Sequence, residues 1–439
     1  MKKQAVLAAS LLALSLGGCS VFKGDGGPKT PTVGNRVPIL SSAAGLEVDP
    51  ATAAIQVVLP PEQANSGWTQ SGGNAEKAMG NLALGATLSN AWSANIAGNS
   101  KSQKLASAPV VDNGRLYAIG VDAVVHAFDA NTGAKIWSSN IGSDSNRGAL
   151  FGGGVSVEGN FAYATNGLGD VAAINIADGT LAWKKRPAGP LRGSPTIFGG
   201  NVFVMTQDNQ LIALNQTNGE VEWQETASVE QGSIFGAASP AAGQGTVVAG
   251  FSSGELNAYR YENGRNLWAD ALSRTAITTS VSTLADVDAD PVIDRGRVYA
   301  IGQGGRMAAY ELVTGQRIWE LNIAGISTPW VAGEWVFVVT DDARLIAVAR
   351  STGKIRWISQ LPRFRDEEDK KGPIRWTGPV LAGNRLFLVS SAGAMAQVNP
   401  ADGSVIGQTD LKVSASQSPV VANNMLYVLD DSGRISAWR

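Results

Sequence analysis

The sequence is poor in the residues that carry most metal and nucleophile chemistry. Its 439 residues include one Cys and one His. A Cys-rich zinc site, a disulfide framework and a Cys–His dyad are thereby excluded. Charged residues make up 16%, against about a quarter in an average globular chain. Lys and Arg number 35 against 37 Asp and Glu, a formal net charge of −2, so no basic footprint points to nucleic acid. Ala5 to Leu16 is the one long apolar run, and its 12 residues are too few to span a bilayer comfortably. Glycine, by contrast, is abundant: 52 residues, about 12% against roughly 7% on average. With 44% hydrophobic residues, this is the composition of a globular protein built from many short strands and tight turns.

Lys2 and Lys3 precede the apolar run, and Leu16-Gly17-Gly18-Cys19 closes it. A short positive region, an apolar core and small residues before a Cys resemble the lipobox of bacterial lipoproteins. The resemblance implies a signal peptide at 1–18, cleavage before Cys19, and lipid, palmitate included, on the Cys19 sulfur and new amine. Ser20 rather than Asp follows, which under the enterobacterial sorting rule favours the periplasmic face of the outer membrane. The alternative is an ordinary secretory signal with an incidental Cys. Residues 19–86 show no repeat and carry many Gly and Pro up to Pro38, so they read as a lipid-anchored tether. Within it, residues 39–59 are apolar enough to form a short structured segment.

From about residue 106 the chain repeats itself. One unit reads Ser107-Ala108-Pro109-Val110-Val111, Leu116-Tyr117-Ala118-Ile119, His126-Ala127-Phe128-Asp129, Asn131-Thr132-Gly133, Ile136-Trp137. The Pro-to-Trp spacing of 28 residues returns at Pro195 and Trp223, Pro240 and Trp268, Pro291 and Trp319, and Pro329 and Trp357. Two units are degenerate, with Val155 in place of Pro before Trp183 and Gly407 in place of Trp after Pro379. A turn glycine precedes each closing position by four residues, from Gly133 to Gly403. Short β-branched and aromatic runs separated by Asn-Thr-Gly or Asp-Gly turns predict four strands per unit. Units of this kind predict an all-β, eight-bladed propeller.

An open solenoid is the alternative, and the chain's ends bear on it. An eighth unit starts at Ser418-Pro419 and stops after Ala437-Trp438, one strand short. Ala91-Trp92-Ser93-Ala94-Asn95-Ile96 closely matches Ile136-Trp137-Ser138-Ser139-Asn140-Ile141 and can supply that strand, closing the ring over residues 87–439. Trp92, Trp137, Trp183, Trp223, Trp268, Trp319 and Trp357 share one repeat position and are expected to pack between blades rather than do chemistry.

The Asn-Thr-Gly-x-x-x-Trp unit resembles the repeat of pyrroloquinoline-quinone (PQQ) enzymes. The whole chain, from lipobox to eighth unit, resembles the propeller lipoproteins of the outer-membrane β-barrel assembly machinery, the BamB family. The segment Leu284-Ala285-Asp286-Val287-Asp288 is similar to that family's Leu-Ser-Asp-Val-Asp. The resemblance implies a non-catalytic scaffold without cofactor. Its partners would be BamA, the barrel-forming subunit, together with other assembly subunits and unfolded outer-membrane proteins. It also implies that Asp286 and Asp288 contact BamA, helped by Ile234 and Phe235 in the preceding long loop. Phe235 stands where that family's Arg is expected.

Other chemistries weigh less. PQQ dehydrogenases usually carry an adjacent Cys pair, which a single Cys cannot form. Asp286-Val287-Asp288-Ala289-Asp290 opens like a calcium loop but has Pro291 at loop position six and Arg297 at position twelve. Gly152-Gly153-Gly154 lacks the Lys-Ser/Thr of a phosphate loop. His126 reads as a neutral strand residue, and Arg363 to Lys371 as a solvated charged loop in which Phe364 could anchor a partner. A carbohydrate- or peptidoglycan-binding propeller would need an exposed aromatic cluster, for which Trp330, Trp335 and Trp376 are the candidates.

Overall fold

The computed structural model describes residues 46–142, 151–228, 236–272 and 286–439; Cys19 lies outside them. Each repeat unit forms one sheet, and the described residues contain eight four-stranded antiparallel sheets. Blade 1 runs Val110–Asp112, Arg115–Ile119, Val124–Asp129, Lys135–Asn140 across the sheet. Blades 2 to 7 follow, with first strands Gly153–Glu158, Thr196–Phe198, Ala241–Gly243, Val292–Asp294, Trp330–Ala332 and Trp376–Ala382. Blade 8 takes Val420–Ala422, Met425–Leu429 and Arg434–Trp438 from one end of the chain and β1 (Asn90–Asn95) from the other. Trp92 stands opposite Ala437 as Trp137 stands opposite Ala127. Trp438 stands opposite Leu426 on the third strand, as Phe128 does opposite Leu116. The fold is the eight-bladed propeller expected from the repeat, closed by the N-terminal strand.

Burial orders each blade. Val420–Ala422 is wholly buried, whereas only Trp223 is fully buried along Val221–Thr226. First strands therefore line the axis and fourth strands form the rim. Each repeat Trp sits on a rim strand and reaches into the next blade. Its indole N–H donates to Ala130, Ile176, Gln216, Tyr261, Leu312, Arg350 or Pro400 O, at 2.7–3.1 Å. Its ring covers the next blade's turn glycine. A Cβ added to Gly133, Gly179, Gly219, Gly264, Gly315, Gly353 or Gly403 would lie 2.5–2.8 Å from the indole. The Trp and the Gly of the repeat are thus two halves of one contact between neighbouring blades.

One junction lacks this contact. Blade 7 carries Gly407 where the Trp would be. Blade 8 has no turn between its third and fourth strands to receive an indole. The two ends of the ring meet there instead, with Ser89 N donating to Arg439 O at 2.8 Å and Arg439 N to Ser89 O at 3.0 Å.

The segment before β1 corrects the tether reading. Leu46–Arg439 is one compact unit, so residues 46–86 pack with the propeller rather than ahead of it. Helix α1 (Pro50–Ala53), capped by Asp49, lies along the rim strand of blade 6, where Asp49 N donates to Ile355 O at 2.9 Å. Residues 65–83 then visit the axis-lining strand of every blade. Asn65 bonds Val421 and Asn423, and Trp68 pairs both ways with Val111. Val157 N donates to Thr69 O, Gln70 brackets both backbone groups of Ile197, and Ala242 N and Ile293 N donate to Ala75 O and Glu76 O. Trp330 Nε1 donates to Gly80 O, and Leu82 N to Leu381 O. The physical reason is edge satisfaction. An axis-lining strand exposes a row of unpaired N–H and C=O groups, and this segment supplies their partners. Its apolar anchors Trp68, Leu82 and Leu84 are buried, as is Lys77, whose Nζ reaches Thr196 Oγ1 at 3.3 Å.

A comparison of two glycines isolates the indole contact. Gly315 and Gly296 both have positive φ, but only Gly315 faces an indole, that of Trp268. Gly296→Ala is expected to lose about 1 kcal/mol from backbone strain alone. Gly315→Ala is expected to lose a further ~1–3 kcal/mol from overpacking. Urea unfolding midpoints of the two variants check this.

Candidate docking site

Arg192 and Asp286–Asp290, which lead into blades 3 and 5, meet in space. Arg192 precedes blade 3 and is fixed by its backbone, N to Met205 O at 2.8 Å and O from Gly153 N at 2.6 Å. Asp286–Asp290 leads into blade 5, with Val287 N bonded to Phe251 O and Gln303 N to Asp286 O. Arg192 and Asp288 hold the same repeat position, three residues before Pro195 and Pro291. Ala237 holds it in blade 4 between them.

Arg192 Nη2 donates to Asp286 Oδ1 at 2.8 Å, to Val287 O at 3.2 Å and to Asp288 Oδ1 at 3.2 Å. Gln303 Nε2 donates to Asp288 Oδ2 at 2.7 Å. The Arg192 side chain is 0% exposed, that of Asp286 2% and that of Asp288 14%. Gly236 lies against the pair; a Cβ there would be 2.0 Å from Arg192 Nη2 and 2.2 Å from Asp288 Oδ1. Burial and the neighbouring Asp286 push the Asp288 carboxyl up to about 7, with Arg192 pulling the other way. Burial likewise raises Asp341, which faces Asp288 from blade 6.

This geometry revises the surface expected of the two acids. Asp286 is an interior ion-pair partner, and Asp288 alone of the two presents an edge to solvent. Ile234 and Phe235 lie outside the described residues. The cation beside the two acids is Arg192, two blades upstream of Asp288, which the sequence reading missed. An Arg at a repeat position that is Ala106 in blade 1 and Ala237 in blade 4 was the available signal. The calcium-loop spacing has a different outcome. Asp286 and Asp288 hold a guanidinium, whereas Asp290 turns away to accept from Ser71 Oγ at 2.6 Å and Ser239 N at 2.7 Å. No cluster of metal-ligating side chains occurs among the described residues.

The remaining candidates divide. Trp330, Trp335 and Trp376 are 5%, 3% and 6% exposed, and Trp330 stacks on Trp68 at 6.0 Å, so they form no exposed aromatic cluster. They are buried because the segment before β1 covers Trp330 and the adjoining blades cover the others. His126 Nδ1 lies 2.9 Å from Ser138 Oγ on the adjacent strand. The charged run is not a simple loop. Phe364–Asp366 pairs with Lys371–Pro373 as a small hairpin between blades 6 and 7, with Arg363 stacked over a half-buried Phe364.

The comparisons bear on this arrangement. The model of one protein family, described as outer membrane protein assembly factor BamB, matches residues 121–359 and 363–438. The chain belongs to that family. The BamB of Yersinia pestis is 28% identical over 329 residues, covering 74% of this chain and 81% of that protein. The crystal structure of BamB from Moraxella catarrhalis superposes with a TM-score of 0.67 at 20% identity, covering 80% of this chain and all of that one. Quinohemoprotein alcohol dehydrogenase from Comamonas testosteroni superposes with a TM-score of 0.67 at 14% identity, covering 85% of this chain and 80% of that one. At such identities the structural likenesses speak for the fold alone.

The buried charges set opposite pH trends. Native Asp288 keeps its proton up to about 7, against 3.8 for the ordinary carboxyl, so the native state binds more protons in that window. Its contribution to stability therefore falls as pH rises from 3.8 to about 7. Burial pulls Lys77 from 10.5 down to about 8, so its contribution rises with pH over that upper window. Asp288→Asn should flatten the first slope, reduced rather than abolished because Asp290 and Asp341 are also raised. Lys77→Met should flatten the second. A series of urea midpoints against pH checks both.

Proposed function

We propose that this chain is a non-catalytic scaffold lipoprotein of the outer-membrane β-barrel assembly machinery. Lipid on Cys19 would hold it at the periplasmic face of the outer membrane. The ring would dock the barrel-forming subunit, BamA, through the face around Asp288 and Arg192. The observation that carries this reading is the Arg192–Asp286–Asp288 cluster, within the segment where the BamB family has its paired acids. A buried guanidinium fixes both carboxylates, so the edge that Asp288 presents is already oriented before a partner arrives. Ile234 and Phe235, just before Gly236 in sequence, would add apolar contact.

The fixed axis favours a binding role over a quinone enzyme. The chain's own residues 65–83 take the backbone partners along the axis-lining strands, and their side chains Gln70 and Lys77 are buried among them. The rim supports a second contact, with unfolded barrel precursors. Ile136, Leu181, Val221, Leu267, Ile318 and Ile406 are 37–54% exposed on rim strands, whose outer edges can accept an added strand.

The cluster decides which variant tests docking. Reversing Asp286 would place a second cation against a guanidinium that is 0% exposed, and breaking such a buried pair costs about 3–5 kcal/mol. Asp288→Lys is the milder probe, because Asp286 still pairs Arg192 and a side chain at this 14% exposed position can turn its cation to solvent. Detergent pull-down from the native envelope should recover the barrel-forming subunit with the wild type and at least about tenfold less with Asp288→Lys. An unchanged urea midpoint for that variant would separate docking from folding. Full recovery with Asp288→Lys would remove the docking assignment. PQQ-dependent dye reduction by the purified wild type would favour the enzyme reading instead.

A further inference from the structure

The junction between blades 7 and 8 is the one without a Trp-to-Gly contact, and the stretch from residue 62 to 89 begins and ends on it. Its entry and exit pair with each other there. Gln63 N donates to Asn81 O and Ala83 N to Gln63 O, both at 2.8 Å. Just beyond, Asn65 Nδ2 donates to Val421 O at 2.7 Å and Asn423 N to Asn65 O at 2.8 Å, both in blade 8. On the other side the exit grips blade 7. Gly383 N donates to Leu82 O at 2.8 Å, and Asn81 Nδ2 to Asn384 Oδ1 at 2.8 Å. Asn384 Nδ2 in turn donates to Glu62 Oε1 at 2.5 Å. Arg385 donates to Ala86 O at 2.6 Å and also to Gly85 O. The chain then runs from blade 7 to blade 8, where β1 becomes the rim strand.

We infer that residues 62–89 are a clasp that holds the 7/8 junction shut in place of the missing indole. Elsewhere along residues 65–83 each main-chain contact is to a single axis strand. Only at this junction do two stretches of the segment bond each other while each holds a different blade. The other seven junctions are held at the rim by an indole, and this one is held from the axis outward. The clasp is independent of the docking reading, since it involves neither Arg192 nor Asp288.

The test separates a clasp from local packing. Hydrogen exchange is followed by mass spectrometry on the full-length protein in detergent. In the Asn65→Ala/Asn81→Ala variant the clasp predicts about tenfold faster exchange in the rim strands Val405–Asp410 and Asn90–Asn95, which neither Asn touches. Asn201–Met205 in blade 3 should keep its wild-type rate. Gln70→Ala removes two side-chain hydrogen bonds of the same segment, both to Ile197 in blade 3. It should speed exchange in blade 3 and spare the two rim strands. If the Asn double variant does not fold, Arg385→Gln is read in the same way. Wild-type exchange in Val405–Asp410 and Asn90–Asn95, or equal acceleration in all eight blades, would overturn the clasp.

Discussion

The ring rests on an indole that reaches past the edge of its own sheet. A four-stranded blade is too small to bury both faces alone, so stability has to come from its neighbours. Each Trp spends its ring on the next blade's turn glycine and its N–H on a carbonyl beside that turn. The hydrogen bond fixes where the ring lies, and the glycine leaves the space for it. Opposite each Trp on its own blade stands a small residue, Ala127 for Trp137 and Ala258 for Trp268. Loops of unequal length between blades are tolerated because this contact, rather than the loops, sets blade spacing.

A ring made this way leaves a problem at its centre. Axis-lining strands have edges as open as any rim strand, and eight of them face one another. The segment from Asn65 to Ala83 answers it with backbone groups, supplemented by Gln70 and the Trp330 indole. The Arg192 cluster adjoins this segment, since Asp290 accepts from Ser71 Oγ.

The blades were legible because they repeat. A 28-residue spacing seen several times over outweighs two degenerate units, and the match between Trp92 and Trp137 located the closing strand. The segment before β1 was not legible for the opposite reason. It meets the blades mostly through main-chain groups that leave no side-chain signature, and no period marks Trp68, Leu82 and Leu84 as buried. Gly72, Gly73 and Gly80, all at positive φ, belong to a path that turns from blade to blade. At the docking site the acids were legible through their neighbours in sequence, but their burial was not. Burial there depends on Arg192, close in space only because positions at the axis of blades 3 and 5 converge.

The pairing of β1 with Arg434–Trp438 also fixes the order in which the protein can mature. Ser89 and Arg439, bonded to each other, are 350 residues apart. Blades 1 to 7 contain only local hairpins and can form as the chain emerges. The first strand of the ring has no partner until the last is made. Its Trp92 then meets blade 1 as the rim of blade 8 forms, so a single late event completes the eighth sheet and ties it to the first. Such closure carries the entropy of the longest loop in the molecule. Folding should therefore spread quickly from blade to blade and be slow for the ring, with β1 as an unpaired edge in the interval.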